Sequence, residues 1–195
     1  WNEVNNVVER VMTTQAENIE AAAKLVANSL AQDGMLYVFG CGHSHIIGED
    51  LFYRAGGTAA VCAMLDSDLM LHTGAAKSSV YEKMTGLARP VFERYGITNQ
   101  DVLLVVSTSG INSVPVEMAM CAKEAGVPVI AIVSQAYKED KSRHSSGLKL
   151  HDVADLVFDN GVCHGDASVN VGDLDMRVGP ISTITSCMIA QSIVV

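Results

Sequence analysis

The segment Val102–Gly110, VLLVVSTSG, constrains this chain more than any other. A run of apolar residues passes abruptly into Ser107, Thr108, Ser109 and Gly110, and an amphipathic helix is expected to start between Asn112 and Pro115. A continuous apolar run of this length reads as a strand buried on both faces, the habit of parallel sheets. Its hydroxyl-rich turn sets side-chain hydroxyls and unpaired N–H groups at the positive end of a helix dipole, where an anion is favoured. No lysine follows Gly110, so this is not the Gly-Lys-Ser/Thr loop that cradles nucleoside triphosphates. Hydroxyls without a lysine suit a single phosphate monoester. Taken alone, the same residues also read as an N-cap cluster closing an ordinary strand.

A second segment repeats the pattern. Met35–Gly42, MLYVFGCG, is another apolar strand ending in glycines, followed by His43, Ser44 and His45. Glycine permits tight turning and close backbone approach. The third glycine of a dinucleotide fingerprint is missing, and the next strand, Ala59–Met64, does not end in an acidic residue for a ribose hydroxyl. Two serine-bearing strand-to-helix turns in one parallel sheet point to a ligand between them, since open α/β sheets bind at the carboxyl ends of their strands.

On these residues the chain resembles the sugar isomerase (SIS) domain family. FGCGHSHIIGEDLFYRAGG is similar to the family's Gly-x-Gly-x-Ser turn and helix, and VVSTSGINSVPVEMAMCAKEAGVPVIAIV to its Ser-x-Ser-Gly motif with the following helix and strand. SRHSSGLKLHDVADLVFDN and GDASV resemble the phosphoheptose isomerase-like bacterial subgroup. The likeness spans roughly residues 35–190. It implies a three-layer αβα sandwich, flavodoxin-like and doubly wound, around a five-stranded parallel sheet.

At 195 residues the chain is one domain's worth of core and can bury about 70% of its unfolded surface. A formal charge of −9 argues against nucleic acid or an anionic membrane as partner. An anionic ligand then depends on local donors, which screening over about 8 Å permits. Five cysteines, odd in number and without Cys-x-x-Cys spacing, predict reduced thiols and a cytoplasmic protein. No apolar run reaches the ~18–20 residues of a membrane span, and the opening residues do not read as a signal-peptide pattern. The start at Trp1 and the apolar end ISTITSCMIAQSIVV read as cut termini.

Periodicity predicts one long N-terminal helix over residues 3–31. The segment 1–34 serves as oligomerisation element or sheet cover, and residues 35–195 form the phosphosugar-binding domain. Strands are expected at 35–39, 59–64, 102–106, 128–133 and 155–158, with helices at 44–55, 78–95 and 113–125. The polar run Lys138–Ser146 reads as a solvated loop.

An aldose–ketose isomerase needs a phosphate anchor, a base that moves a proton between C1 and C2, and an acid that opens the ring. The resemblance makes Ser44, Ser107, Thr108 and Ser109 the anchor, with the N–H groups of Gly110 and Ile111, an amide donor from Asn112, and Arg143 as a possible anion holder or surface ion pair. For the base, Glu82 is the first candidate, since a half-buried carboxylate rises toward neutrality; the alternative pairs it with Lys77, Lys83 or Arg89 on a wet helix face. Glu49 is next. For ring opening, His43 and His45 flank the serine turn, and His144 or His72 is a candidate for donation from a neighbouring subunit. Asp166 is a polar-loop candidate without an assigned role.

The chain also departs from the family. Where phosphoheptose isomerases carry a His and a Glu tied to zinc and catalysis, it has Asp50 and Arg54, and where arabinose-5-phosphate isomerases carry a lysine it has Met35. Its six histidines show no zinc spacing, so no metal or other cofactor is expected. The resulting expectation is a sugar-phosphate isomerase working through an ene-diol, as a homodimer or homotetramer. Its rivals are a non-catalytic phosphosugar sensor and an amino-sugar-phosphate lyase cleaving a lactyl ether.

Overall fold

A computed structural model describes residues 2–173 and 175–195; Trp1, from which the N-terminal segment was counted, lies outside them. Five strands form the sheet: β1 (Leu36–Gly40), β2 (Val61–Met64), β3 (Val102–Val106), β4 (Val129–Val133) and β5 (Leu156–Asp159). All neighbours pair in parallel, in the order β2-β1-β3-β4-β5. The strands are near-continuous apolar runs because both faces of the sheet are covered.

Alternation along each strand divides the core. Leu36, Val38, Leu104, Val106, Ile130 and Ile132 face helices α1 (Asn2–Thr14), α2 (Ala16–Leu30), α3 (Ile46–Leu51) and the last helix, Ser182–Val194. Tyr37, Phe39, Leu103, Val105, Val129 and Ala131 face the opposite layer. That layer contains α4 (Ala75–Tyr81), α5 (Ala88–Tyr95), α6 (Ser113–Glu124) and α7 (Leu150–Val153), the C-terminal helix being α8. The result is the expected three-layer, doubly wound sandwich.

Two long helices expected from periodicity are each divided. Residues 3–31 break at Gln15, whose backbone sits at φ −102°, ψ 4°. Thr13 and Thr14 bond back to the Glu9 and Arg10 carbonyls (2.8 and 2.9 Å), which bends a helix. Both halves bury apolar residues against the sheet, among them Val7, Val11, Ala22 and Val26. The segment 78–95 is interrupted between Tyr81 and Ala88 by a turn with Gly86 at φ +92°, a conformation that costs side-chain-bearing residues energy. The expected helix 44–55 is a 3-10 turn (Gly42–His45) followed by α3 alone. A short hairpin, β6 (Val169–Asn170) with β7 (Arg177–Val178), was not foreseen.

Two positions tie sequence to the site. At Gly40 a Cβ atom would lie 2.5 Å from the Ser44 backbone, so only glycine lets the turn after β1 fold back on itself. Gly110 stands at φ +64° with Val133 Cγ1 3.1 Å from where its Cβ would be.

Candidate functional site

From β1 the chain leads to β2 on one side of the sheet, and from β3 to β4 on the other. The crevice between the carboxyl ends of β1 and β3 is therefore the switch point where such sheets bind ligands. A cleft of about 230 Å³ opens there, lined by Cys41, Ser44, Glu82, Ser107, Thr108, Ser109, Asn112, Tyr137, Gly165 and Asp166. Beside it, a recess of about 50 Å³ shares Ser44 and Thr108 and adds His43, Ser182, Thr183 and Ser186.

One wall is the turn after β3. The Gly110 N–H donates to Ser107 Oγ at 3.2 Å, which shapes the turn. The N–H groups of Thr108, Ser109 and Ile111, and the hydroxyls of Ser44 and Ser109, have no hydrogen-bond partner among the described residues. Helix α6 starts at Asn112 without a side-chain cap, so the N-cap reading of the hydroxyl cluster does not hold for this helix. Its first turn carries few donors of its own. Pro115 has no N–H, and the Val114 N–H donates to the Glu82 carbonyl at 3.0 Å. The helix supplies its dipole; the turn supplies the donors.

Glu82 forms the facing wall, just past the C-terminal end of α4. It closes the last turn of α4, its N–H donating to the Ser78 carbonyl at 3.0 Å, and it lines the cleft instead of a wet helical face. Its pKa is raised above the ordinary carboxylate value, burial being the main cause, with Lys83 and Arg143 pulling it back. Asn112 Nδ2 donates to Glu82 Oε1 at 2.8 Å, and the Arg143 guanidinium donates to Asn112 Oδ1. Asn112 and Arg143, expected at the phosphate, are thus engaged with each other and with the carboxylate. Burial pushes the adjacent Cys41 thiol well above its usual pKa, with Glu82 and Asp66 adding to the shift, so it stays neutral.

The histidines separate. His43 is exposed at the edge of the small recess, next to Ser44. His45 is buried, with Nδ1 against the Gly42 carbonyl and Nε2 3.6 Å from Glu49, and stacks edge-on with His72 at 6.3 Å. Glu49 is exposed on α3. His144 stands in a different cavity of about 180 Å³, its Nε2 3.4 Å from Glu117 Oε1. Within one chain the structure does not bring it to the cleft.

The far rim holds residues that sequence reasoning left without a role. Asp166, at φ +49°, accepts from the N–H groups of Ile181 and Ser182 (2.9 and 3.2 Å) and so caps α8 from a distant loop. Tyr137 Oη accepts from the Gly165 N–H at 2.8 Å, and the Tyr137 ring packs on His164 at 4.3 Å. Asn160, fully buried, reaches Thr108 Oγ1 and Ser186 Oγ, each at 3.5 Å. The run Ser182-Thr183 opening an apolar helix was the available signal for this rim.

Residues 1–134 match the SIS domain family, and the chain belongs to it. The UPF0309 protein Teth39_1980 of Thermoanaerobacter pseudethanolicus is 45% identical over 197 residues, which span 98% of this chain and 80% of that protein. Among solved structures, phosphoheptose isomerase GmhA from Neisseria gonorrhoeae superposes with a TM-score of 0.63 at 18% identity, over 98% of this chain and 92% of its own. The Vibrio vulnificus NanR protein, solved in complex with ManNAc-6P, gives 0.56 at 14% identity, over 99% of this chain and 58% of its own. At these identities the two structures establish the fold. Among the described residues, no helix is long and apolar enough to cross a membrane.

Proposed function

We propose that the cleft binds a sugar phosphate and that the protein is an aldose–ketose isomerase using Glu82 as its base. The observation that carries this reading is the pairing, in one cleft, of a half-buried carboxylate of raised pKa with a turn of unpartnered hydroxyl and N–H donors. Ser44, Ser107, Thr108, Ser109 and the turn N–H groups hold the phosphate. Glu82 removes the proton at C2 of the aldose and returns it at C1 through an ene-diol; a carboxylate lifted toward neutral pH suits both transfers. His43, exposed beside Ser44, is the histidine assigned to ring opening. His144, beside Glu117 and away from the cleft of its own chain, is given no part in the reaction within one chain. Solved structures of this fold include a phosphoheptose isomerase and a complex with ManNAc-6P, in keeping with a phosphosugar ligand.

Five free cysteines fit a reducing cytoplasm. Exposed apolar side chains at Phe52 and Tyr53 and along the hairpin, Val169 and Val178, support a homodimer or dimer of dimers. Light scattering showing only a monomer of about 20.7 kDa at micromolar concentration would refute the assembly.

The test is a thermal-shift panel of pentose, hexose and heptose phosphates beside their unphosphorylated sugars, followed by exchange of the C2 proton with D2O for every ligand that binds. Glu82→Gln is expected to keep binding within a few-fold and to lower exchange by at least ~100-fold, the usual scale of a general base. Equal binding of sugar and sugar phosphate would remove the phosphate anchor. Binding without exchange in the unaltered protein would replace the isomerase with a phosphosugar sensor.

A further inference from the structure

We propose that Asn112 and Arg143 are positioning residues for the Glu82 carboxylate, fixing Oε1 through a directed chain of hydrogen bonds and leaving Oε2 to exchange the proton. The inference rests on the reading of Glu82 as base and gives both residues a part other than phosphate binding.

The direction of the chain follows from donor and acceptor chemistry. A guanidinium can only donate, so it must meet the carbonyl oxygen of the Asn112 amide. That choice turns Nδ2 toward Glu82, where it can only donate. The chain Arg143→Asn112→Glu82 therefore ends on an acceptor, and an ionised carboxylate is the best one available. Without the guanidinium, the amide is free to flip and to present an oxygen to the carboxylate. Among the described residues Oε2 receives no donor, so the hydrogen bond selects which oxygen works.

The backbone holds Arg143 where the chain needs it. Its N–H donates to the Ile111 carbonyl at 2.8 Å, and its carbonyl accepts from Ser113 Oγ at 3.2 Å, so the loop is stitched to the chain on both sides of Asn112. Asn112 itself is buried, and the helix it precedes does not use its side chain as a cap. An asparagine at an N-cap that forgoes capping to hold a carboxylate has exchanged a local role for one across the cleft.

The charged and titratable groups around Glu82 are Lys83 beside it, Arg143 from the loop, Cys41 at the end of β1, and Tyr137 and Asp166 across the cleft. Burial favours the neutral acid, and Lys83 and then Arg143 favour the anion.

The test is a carboxyl-carbon NMR titration of the full chain with carbon-13 glutamate, the Glu82 signal being identified by its loss in Glu82→Gln. In Asn112→Ala and Arg143→Met the Glu82 midpoint is expected to rise by about one pH unit, the scale of losing a neighbouring opposite charge or a donor. Arg143→Lys, which keeps the charge without the planar fork, should shift it less. Affinity for inorganic phosphate should stay within threefold in all three. An unchanged midpoint would overturn the proposal, as would a tenfold loss of phosphate affinity, which would place these residues on the phosphate. Arg143 has an exposed side chain, so Arg143→Met reads the chain even where Asn112→Ala fails to fold. Because the titration needs no turnover, a risen midpoint in a protein without C2 exchange would keep the positioning assignment and remove only the base.

Discussion

Helix α6 begins at the cleft and α8 at the recess beside it, each with a carboxylate nearby, and the two starts are built in opposite ways. At α8, Asp166 reaches across from a separate loop and places an oxygen on two N–H groups, so the positive end of that dipole is answered within the protein. At α6, the nearby acid is held back. Glu82 gives the helix only its backbone carbonyl, and its side chain is drawn to Asn112. The turn before α6 keeps the N–H groups of Thr108, Ser109 and Ile111 without protein acceptors, among the described residues, while the Gly110 N–H is taken by Ser107 Oγ. One carboxylate serves stability. The other sits half-buried at an electrostatic cost, the condition that the proposed base requires.

The largest effect expected from this contrast is on ligand binding at the α6 turn. Ser109→Ala removes an unpartnered hydroxyl and should weaken sugar-phosphate binding by about 1.5–3 kcal/mol, the range of hydrogen bonds to charged groups. The melting temperature of the free protein should hardly move. Calorimetry with the best ligand of the panel decides it; unaltered affinity would mean that the turn is not the anchor.

At α8 the expected loss is of stability. Asp166→Ala removes the cap and leaves a side-chain-bearing residue at positive φ, for about 2 kcal/mol in all, or roughly 4–8 °C in Tm for a chain of this size. Asp166→Asn keeps an oxygen acceptor and tolerates the left-handed backbone, so its cost should stay below about 1 kcal/mol. Differential scanning calorimetry of the pair separates charge from capping. Equal melting temperatures for Asp166→Ala and the unaltered protein would erase the difference between the two helix starts.

The sheet was legible in the sequence because each strand is a short apolar run bounded by turn residues, and parallel pairing follows from the alternation of strands with helices. The cleft was legible for the same reason, since Ser44 and Ser107–Ser109 follow strands whose ends must lie together. What periodicity concealed was the division of the segment 78–95. Apolar spacing runs through Met84 and Leu87 as if the helix continued, yet Gly86 takes positive φ, and its N–H donates to the Glu117 carboxylate at 2.8–2.9 Å. That tertiary contact fixes the turn between α4 and α5. The hydrogen bonds of Asn112, Arg143 and Asp166 escaped for a related reason. Each partner lies 15 to 31 residues away in sequence, and a local reading assigns a polar residue near a helix start to the helix that follows it.

The smallest effect concerns stability at Glu82 and has the opposite sign from that at Asp166. Burial raises the folded-state pKa of Glu82 above the value of an unfolded glutamate. The folded protein therefore binds the proton more tightly than the unfolded chain does between those two values. The stability this group contributes is fully present below the unfolded pKa and is lost as pH rises through the folded pKa. At neutral pH the ionised carboxylate is a net cost. Glu82→Gln keeps an oxygen for Asn112 Nδ2 and removes the charge, so its Tm should lie slightly above that of the unaltered protein at pH 7, the two converging as pH falls toward 4. Thermal melts across that range check the sign. A Glu82→Gln protein less stable at pH 7 than at pH 4, relative to the unaltered chain, would show the carboxylate to be a stabilising partner of the Asn112–Arg143 chain, and Glu82 would then belong with Asp166 among the acids that hold the fold together.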